Sequence, residues 1–170
     1  PLRIYAPREG TGLAVLVYYH GGGFIIGDLD SHDSICRRLA NAADCLVVSV
    51  AYRLAPEAPY PAAVEDAMAA FDWCAAHVGE VGGDPARLAV GGDSAGGGLA
   101  AYVAQQHRDR IRYQVLIYPY MDPNADTETR RACADVFPID RPTIDWFNAL
   151  YLPDASRHAP PAAEMDADPS

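Results

Sequence analysis

The chain has 170 residues, half of them apolar, which is enough for one hydrophobic core, so we expect a single domain over 1–170. Its 13 basic and 23 acidic residues give a net charge of −10. This charge argues against nucleic acid and anionic membrane surfaces as partners, because both require clustered positive charge. The apolar runs are also far too short for a membrane span.

The spacing of the cysteines and the identity of the first residue bear on metal or redox sites and on the cellular compartment. Cys36, Cys45, Cys74 and Cys133 include no C-x-x-C pair, so we predict no metal site and no redox motif. Small apolar cysteines of this kind indicate a reducing, cytoplasmic compartment. No signal peptide is visible, but the chain begins with Pro1, so we expect its true N-terminus to be missing.

Short apolar runs alternate with helical periodicity, which predicts a mostly parallel sheet with helices on both faces. The expected strands are Arg3–Tyr5 at an edge, Ala14–Tyr19, Leu46–Val50, Leu88–Gly91 and Val115–Tyr118. Three helices are expected between them: one after the N-cap candidates Asp30 and Ser31, one with Pro61 in its first turn, and one carrying Ala95, Leu99 and Val103 at intervals of four.

The last third of the chain has a different composition. Residues 119–142 are rich in proline, aspartate and threonine and predict a long segment with little regular structure. Pro142 then opens a predicted helix over about 142–152, with Ile144, Phe147 and either Leu150 or Tyr151 on one face. We expect a loop or tail over about 153–170.

The segment Gly92-Asp93-Ser94-Ala95-Gly96 fits the pattern G-x-S-x-G and lies between a predicted strand and a predicted helix. This context is that of a nucleophile elbow, a sharp turn that exposes a serine oxygen above the sheet. Side chains at Gly92 and Gly96 would clash in such a turn, and Asp93 would point away from the site. Ser94 is therefore the candidate nucleophile, and the alternative is a glycine-rich turn with an incidental serine.

The segment His20-Gly21-Gly22-Gly23 follows the strand Ala14–Tyr19. Its glycines allow backbone N–H groups to point into a site, as in the loop that binds the oxyanion of a tetrahedral intermediate. A plain glycine turn is the alternative, whereas a phosphate loop is disfavoured because neither G-K-[ST] nor G-x-G-x-x-G is present. We interpret His20 as a structural residue that holds this loop through ring hydrogen bonds, rather than as a base.

These segments resemble the hormone-sensitive-lipase-like esterases of the α/β-hydrolase superfamily. The matching motifs are His20–Phe24, Tyr52–Glu57, Asp84–Arg87 and Gly92–Gly97. The resemblance implies an α/β-hydrolase fold, a cap-region role for the helix over 142–152, a brace for the oxyanion loop at Tyr52–Glu57, and an N-cap and turn at Asp84–Arg87. It also implies Ser94 as nucleophile, Gly22, Gly23 and Ala95 as the oxyanion hole, and His20, Gly21, Gly92, Asp93 and Gly96 as supporting residues.

The chain also departs from the family pattern. Family members carry a helical cap before the first strand and two further strands after the region matched here, and their triad follows the order Ser, Asp, His. Only 76 residues follow Ser94, so we expect an incomplete chain whose triad Asp and His lie beyond Ser170. The histidines present do not fit the base: His20 and His32 precede the serine, His77 and His107 fit helix ends, and His158 lies in the proline-rich tail.

Two hypotheses follow. The first is a serine hydrolase that cleaves short-acyl carboxylic esters through an acyl-enzyme on Ser94, without metal or organic cofactor. Its partner would be a small-molecule ester, and the full-length protein would form a homodimer. The alternative is a catalytically dead ligand-binding or receptor protein on the same scaffold. In either case we expect the 170-residue chain alone to be inactive and prone to aggregate.

Overall fold

A computed structural model describes residues 1–122, 127–135 and 139–153. The strands of this part are β1 (Leu2–Tyr5), β2 (Leu13–Tyr19), β3 (Leu46–Val50), β4 (Gly83–Asp93) and β5 (Ile111–Ile117). They form one sheet in the order β1-β3-β2-β4-β5. Strand β1 is antiparallel to β3, whereas the other neighbours are parallel, so the predicted mostly parallel sheet is confirmed.

Helices cover both faces of this sheet. The longer ones are α1 (Asp33–Ala43), α2 (Ala62–His77), α3 (Ala95–Gln106) and α5 (Arg141–Tyr151), and the short ones are a 3-10 turn (Val78–Val81) and α4 (Glu128–Ala132). On one face, Leu16 and Tyr18 of β2 pack with Cys36 and Ala40 of α1. On the other face, the alternate β2 residues, which begin at Leu13, pack with α2 and α3. This double coverage explains why β3 is buried along its whole length and is apolar apart from Ser49.

Two predicted helix N-caps differ from the structure. Helix α1 begins at Asp33 with His32 as its N-cap, because Ser31 is used one turn earlier: its backbone N–H donates to Asp28 Oδ1 at 2.7 Å and its hydroxyl to Asp28 O at 2.9 Å. The predicted caps Asp30 and Ser31 are therefore wrong. Of the predicted N-cap and turn at Asp84–Arg87, the N-cap is wrong, because the segment lies inside β4, where the register with β2 shifts; the turn is present, with the Ala86 N–H donating to Asp84 Oδ1 at 2.9 Å.

Strands β4 and β5 begin earlier than predicted. Their first residues include exposed polar side chains, such as Arg87 in β4 and Arg112 and Gln114 in β5, which interrupt the apolar run. Hydrogen bonding to a neighbouring strand does not require burial of every side chain, so hydropathy alone places these strand starts too late. At the other end, Tyr118 lies outside β5 and has a positive φ of 36°.

The predicted helix near the C-terminus is confirmed. Helix α5 spans Arg141–Tyr151, its N-cap Asp140 accepts a hydrogen bond from the Thr143 N–H at 3.0 Å, and Tyr151 rather than Leu150 is buried. Helix α4 was not predicted, because five residues are too few to show a helical period. The predicted tail beyond Pro153, including His158, lies outside the described residues.

Within the described ranges, no helix is both long enough and apolar enough to cross a membrane. The same part of the chain holds no group of three or more His, Cys, Asp or Glu residues that could bind a metal ion.

Candidate active site

Ser94 occupies the turn between β4 and α3. Its backbone has φ 51° and ψ −118°, a conformation that is strained for a residue with a side chain and costs roughly 1–3 kcal/mol. Three backbone hydrogen bonds hold it: Ser94 N donates to Ile117 O at 2.9 Å, and Ser94 O accepts from Gly98 N at 3.1 Å and Tyr120 N at 2.8 Å. Ser94 is half-buried, whereas the other residues of 91–100 are buried. The turn therefore exposes this serine above the sheet.

The turn is possible because its flanking residues have no side chains. A Cβ atom at Gly96 would overlap the carbonyl oxygens of Tyr19 and His20, which lie at the end of β2. A Cβ atom at Gly92 would overlap the backbone of Gly96. Helix α3 can thus start directly beside β2, so that the serine turn and the loop after β2 are neighbours.

That loop carries His20, Gly21, Gly22 and Gly23. Gly22 has φ 121°, which side chains rarely allow, and its carbonyl oxygen accepts from both Ile25 N and Ile26 N at 3.0 Å. No hydrogen bond between described residues uses the N–H of Gly22 or Gly23. The N–H of Ala95 lies in the first turn of α3, where an intrahelical acceptor is absent. These N–H groups remain available to a ligand.

His20 is buried beneath the loop. Its Nδ1 lies 2.8 Å from Gly21 O, and since a carbonyl only accepts, Nδ1 carries the proton. Burial lowers the pKa of His20 below its ordinary value, which favours the neutral ring. The ring stacks on Tyr52 with centroids 4.3 Å apart, and Tyr52 donates its hydroxyl hydrogen to His20 O at 2.6 Å. With a second bond from Ala55 N to Phe24 O at 2.9 Å, the predicted contact of the Tyr52–Glu57 segment with this loop is confirmed.

The carboxylate of Asp93 is held in a polar cluster beside the serine turn. Its Oδ1 accepts from the Tyr18 hydroxyl at 2.8 Å and from Gly21 N at 3.0 Å, and His32 Nε2 lies 3.3 Å away. Burial alone would raise the pKa of Asp93. The hydrogen bonds from His32, Tyr18 and Gly21 outweigh it and hold that pKa below its ordinary value, so the carboxylate is ionised.

A cavity of about 620 Å³ lies over the serine. One wall consists of the serine turn and the glycine loop, and the opposite wall comes from α5 and the residues before it. Most of the lining is apolar, and the lining residues are Gly22, Gly23, Phe24, Ile26, Asp93, Ser94, Tyr118, Tyr120, Ile139, Thr143, Ile144, Phe147 and Asn148. The fold thus brings the predicted Ser94, Gly22 and Gly23 to one cavity.

The other described histidines have partners away from the serine. His77 Nδ1 lies 3.0 Å from Glu80 Oε1 on the surface. His107 packs on Phe71 with ring centroids 4.6 Å apart, and its Nε2 is 3.6 Å from Asp72. Within the described residues, no histidine forms a hydrogen bond with Ser94.

Comparison with known proteins places the chain in a protein family. A family model described as having the alpha/beta hydrolase fold matches residues 16–169. The chain belongs to this family. The predicted α/β-hydrolase fold and the resemblance to hormone-sensitive-lipase-like esterases are confirmed by this match and by named esterases among the relatives.

Individual relatives of this α/β hydrolase are enzymes by name. The chain is 48% identical over 164 residues to the carboxylic ester hydrolase LipN of Mycobacterium tuberculosis, covering 91% of this chain and 44% of LipN. It is 38% identical over 159 residues to the ethyl acetate hydrolase of Pseudomonas putida, covering 89% and 50%. A solved esterase of Pyrobaculum calidifontis has a TM-score of 0.90 at 43% identity, covering 98% of this chain and 57% of that one.

The chain spans about half the length of the curated relatives it matches.

Sequence patterns alone do not reveal two residues of this α/β hydrolase that contact the Asp93 carboxylate beside the nucleophile. Tyr18 is one residue of an apolar strand, and the sequence around His32 predicts no contact with Asp93. Their common partner Asp93 lies 75 and 61 positions along the chain from them, so no local pattern marks either contact.

Proposed function

We propose that the full-length protein containing this chain hydrolyses carboxylic esters through an acyl-enzyme on Ser94. The observation that carries this proposal is the joint placement of Ser94, Gly22 and Gly23 around one cavity, with the serine held in a strained turn. A buried glycine turn with an incidental serine would need neither that exposure nor a neighbouring loop with free N–H groups.

In the proposed reaction, Ser94 Oγ attacks the ester carbonyl carbon while a base removes its proton. The carbonyl oxygen becomes an oxyanion, which accepts hydrogen bonds from the N–H groups of Gly22, Gly23 and Ala95. The bond to the alcohol then breaks and the leaving alkoxide takes the proton from the base. Water, deprotonated by the same base, attacks the acyl-enzyme, the acid is released and the proton returns to Ser94 Oγ. One such donor is typically worth about 3–4 kcal/mol in the transition state.

The base and the acid that orients it are assigned to residues outside the part of the chain that the structure describes. His20, His32 and His77 have polar partners away from Ser94, and the ring of His107 packs on Phe71, which supports this assignment. No organic cofactor or metal has a step in this reaction.

The proposed substrate is a small-molecule ester with a short acyl chain. The volume of about 620 Å³ and the mostly apolar lining suit a compact, weakly polar molecule. The relative named ethyl acetate hydrolase supports a short acyl group. A homodimer of the full-length protein, a cytoplasmic location, a single domain over 1–170 and a cap role for α5 remain predictions.

Relatives named as hydrolases or esterases favour this proposal over a ligand-binding protein without catalysis. The test is hydrolysis of p-nitrophenyl acetate, butyrate, octanoate and palmitate by the full-length protein. We expect turnover of the two shortest esters, and a loss of at least about 10⁴-fold in kcat for Ser94→Ala. Ser34→Ala, an exposed serine on α1, is the matched control and should retain full activity. Absence of turnover by the wild type, or an active Ser94→Ala variant, would overturn the proposal.

A further inference from the structure

We propose that His32 is a positioning residue: through the Asp93 carboxylate it fixes the oxyanion loop relative to Ser94. This inference rests on the proposed function and deepens it, because it assigns a role to a side chain that never touches the substrate cavity.

The Asp93 carboxylate receives donors from three separate elements. Tyr18 belongs to β2, Gly21 N to the glycine loop and His32 to the start of α1, with distances to Oδ1 of 2.8, 3.0 and 3.3 Å. His32 Nε2 is also 3.4 Å from Oδ2, so it lies between both oxygens. An ionised carboxylate can only accept, so His32 must hold a proton on Nε2.

This carboxylate connects the two parts of the site in sequence as well as in space. Asp93 directly precedes the nucleophile Ser94, and its partner Gly21 directly precedes the oxyanion residue Gly22. The contact leaves no free space, because a Cβ atom at Gly21 would overlap Asp93 Oδ2. A shift of the carboxylate toward Gly21 would therefore displace the loop or the serine turn.

His32 is itself held in place. Its Nδ1 lies 3.0 Å from Ser31 Oγ, and Ser31 is fixed by its bonds to Asp28. Its ring packs against His20, the buried histidine of the loop, with centroids 5.4 Å apart. The ring is thus supported at its Nδ1 edge and on the side facing His20 while Nε2 faces Asp93.

Burial separates this pair from an ordinary surface ion pair. The side chains of His32 and Asp93 are 19% and 12% exposed, whereas those of His77 and Glu80 are 45% and 75% exposed. Water can replace a lost partner in the second pair at little cost. In the first pair, removal of the donor leaves a buried charge with one fewer hydrogen bond, so the carboxylate must move toward water.

Two substitutions in the full-length protein separate hydrogen bonding from packing. His32→Phe keeps an aromatic ring beside His20 but cannot donate, whereas His32→Gln loses the ring and keeps an N–H at similar reach. We expect His32→Phe to lower kcat for p-nitrophenyl butyrate by at least about 10-fold with KM within about 2-fold, since small displacements of reacting groups act on the transition state. His32→Gln should stay within about 3-fold of the wild type in kcat.

Matched controls are His77→Phe and His77→Gln, which alter the surface pair and should leave kcat unchanged. Thermal melting checks that each variant folds, and the rate of fluorophosphonate labelling should fall in parallel with kcat. Should His32→Phe not fold, His32→Leu takes its place, and failure of both donor-less variants to fold would assign His32 to fold stability and overturn the proposal.

The outcomes distinguish this proposal from the proposed function. An active wild type with an equally active His32→Phe, or with equal losses in His32→Phe and His32→Gln, overturns only the role of His32. A wild type that neither hydrolyses esters nor reacts with the fluorophosphonate overturns the proposed function, and the role of His32 is overturned with it.

Discussion

The two walls of the cavity are built in different ways. The elbow wall, formed by Ser94, Gly22 and Gly23, is held by backbone hydrogen bonds and by the buried Asp93 carboxylate. The helix wall, formed by Ile139, Ile144 and Phe147, consists of partly exposed apolar side chains. Hydrogen-bonded backbone fixes atoms to fractions of an ångström, whereas apolar packing tolerates changes of shape. We therefore assign the chemistry to the first wall and substrate selection to the second.

The largest effect, after loss of the nucleophile itself, is expected from Gly22→Ala in the elbow wall. Gly22 has φ 121°, and a Cβ atom there would overlap the carbonyl of Ile26, so the loop must change shape and withdraw its donors. We expect kcat to fall by about 10²–10³-fold with a smaller change in KM, measured with p-nitrophenyl butyrate.

The matched control for this substitution is Gly12→Ala. Gly12 also has a positive φ, of 73°, but a Cβ atom there meets nothing within 4 Å and the residue is remote from the cavity. The Gly12→Ala variant should have a free energy of unfolding about 1 kcal/mol below that of the wild type and should keep its activity. Equal losses of activity in both variants would show that backbone strain, and not the oxyanion donors, accounts for the effect.

An intermediate effect is expected from Asp93→Asn, which removes the buried charge but preserves its shape. We expect kcat to fall about 10-fold, since the carboxylate positions both the loop and the serine turn. Because the folded-state pKa of Asp93 is lowered, its charge stabilises the fold above the ordinary carboxyl pKa of 3.8, and this contribution disappears as the pH falls through the folded value.

Urea unfolding at several pH values checks the sign of this dependence. The free energy of unfolding of the wild type should exceed that of Asp93→Asn at pH 7, and the difference should narrow below about pH 4. Asp44→Asn, which alters an exposed carboxylate paired with Arg8, is the control and should change little at either pH. A difference that widens on acidification would contradict an ionised Asp93.

The smallest effect on catalysis is expected in the helix wall. Phe147→Ala removes a ring that lies against Gly23 and enlarges the cavity. We expect the ratio of kcat/KM for octanoate to that for acetate to rise by about 10-fold, with kcat for acetate changed by less than about 3-fold. Trp146→Ala, the exposed neighbour that does not line the cavity, should leave this ratio unchanged. A large fall in kcat for every ester would remove the distinction between the walls.

The elbow wall could be anticipated from sequence because its geometry is local. Glycines at 22, 92 and 96 stand where the backbone turns or passes close to another strand, and such requirements leave a mark within a few residues. The strand starts of β4 and β5 were misplaced because exposed strand residues carry no hydropathy signal. The hydrogen bonds from Tyr18 and His32 to Asp93 could not be anticipated, because they join distant positions and resemble no motif.

The most direct test of the central claim is the site of covalent labelling in the full-length protein. A fluorophosphonate forms a stable phosphonyl ester with a serine that is activated and faces oxyanion donors. We predict that mass spectrometry will find the adduct on the peptide containing Ser94, and that Ser94→Ala will abolish it while Ser34→Ala will not. An adduct on another residue, or no adduct in a protein that hydrolyses esters, would contradict the assignment of Ser94 as the nucleophile.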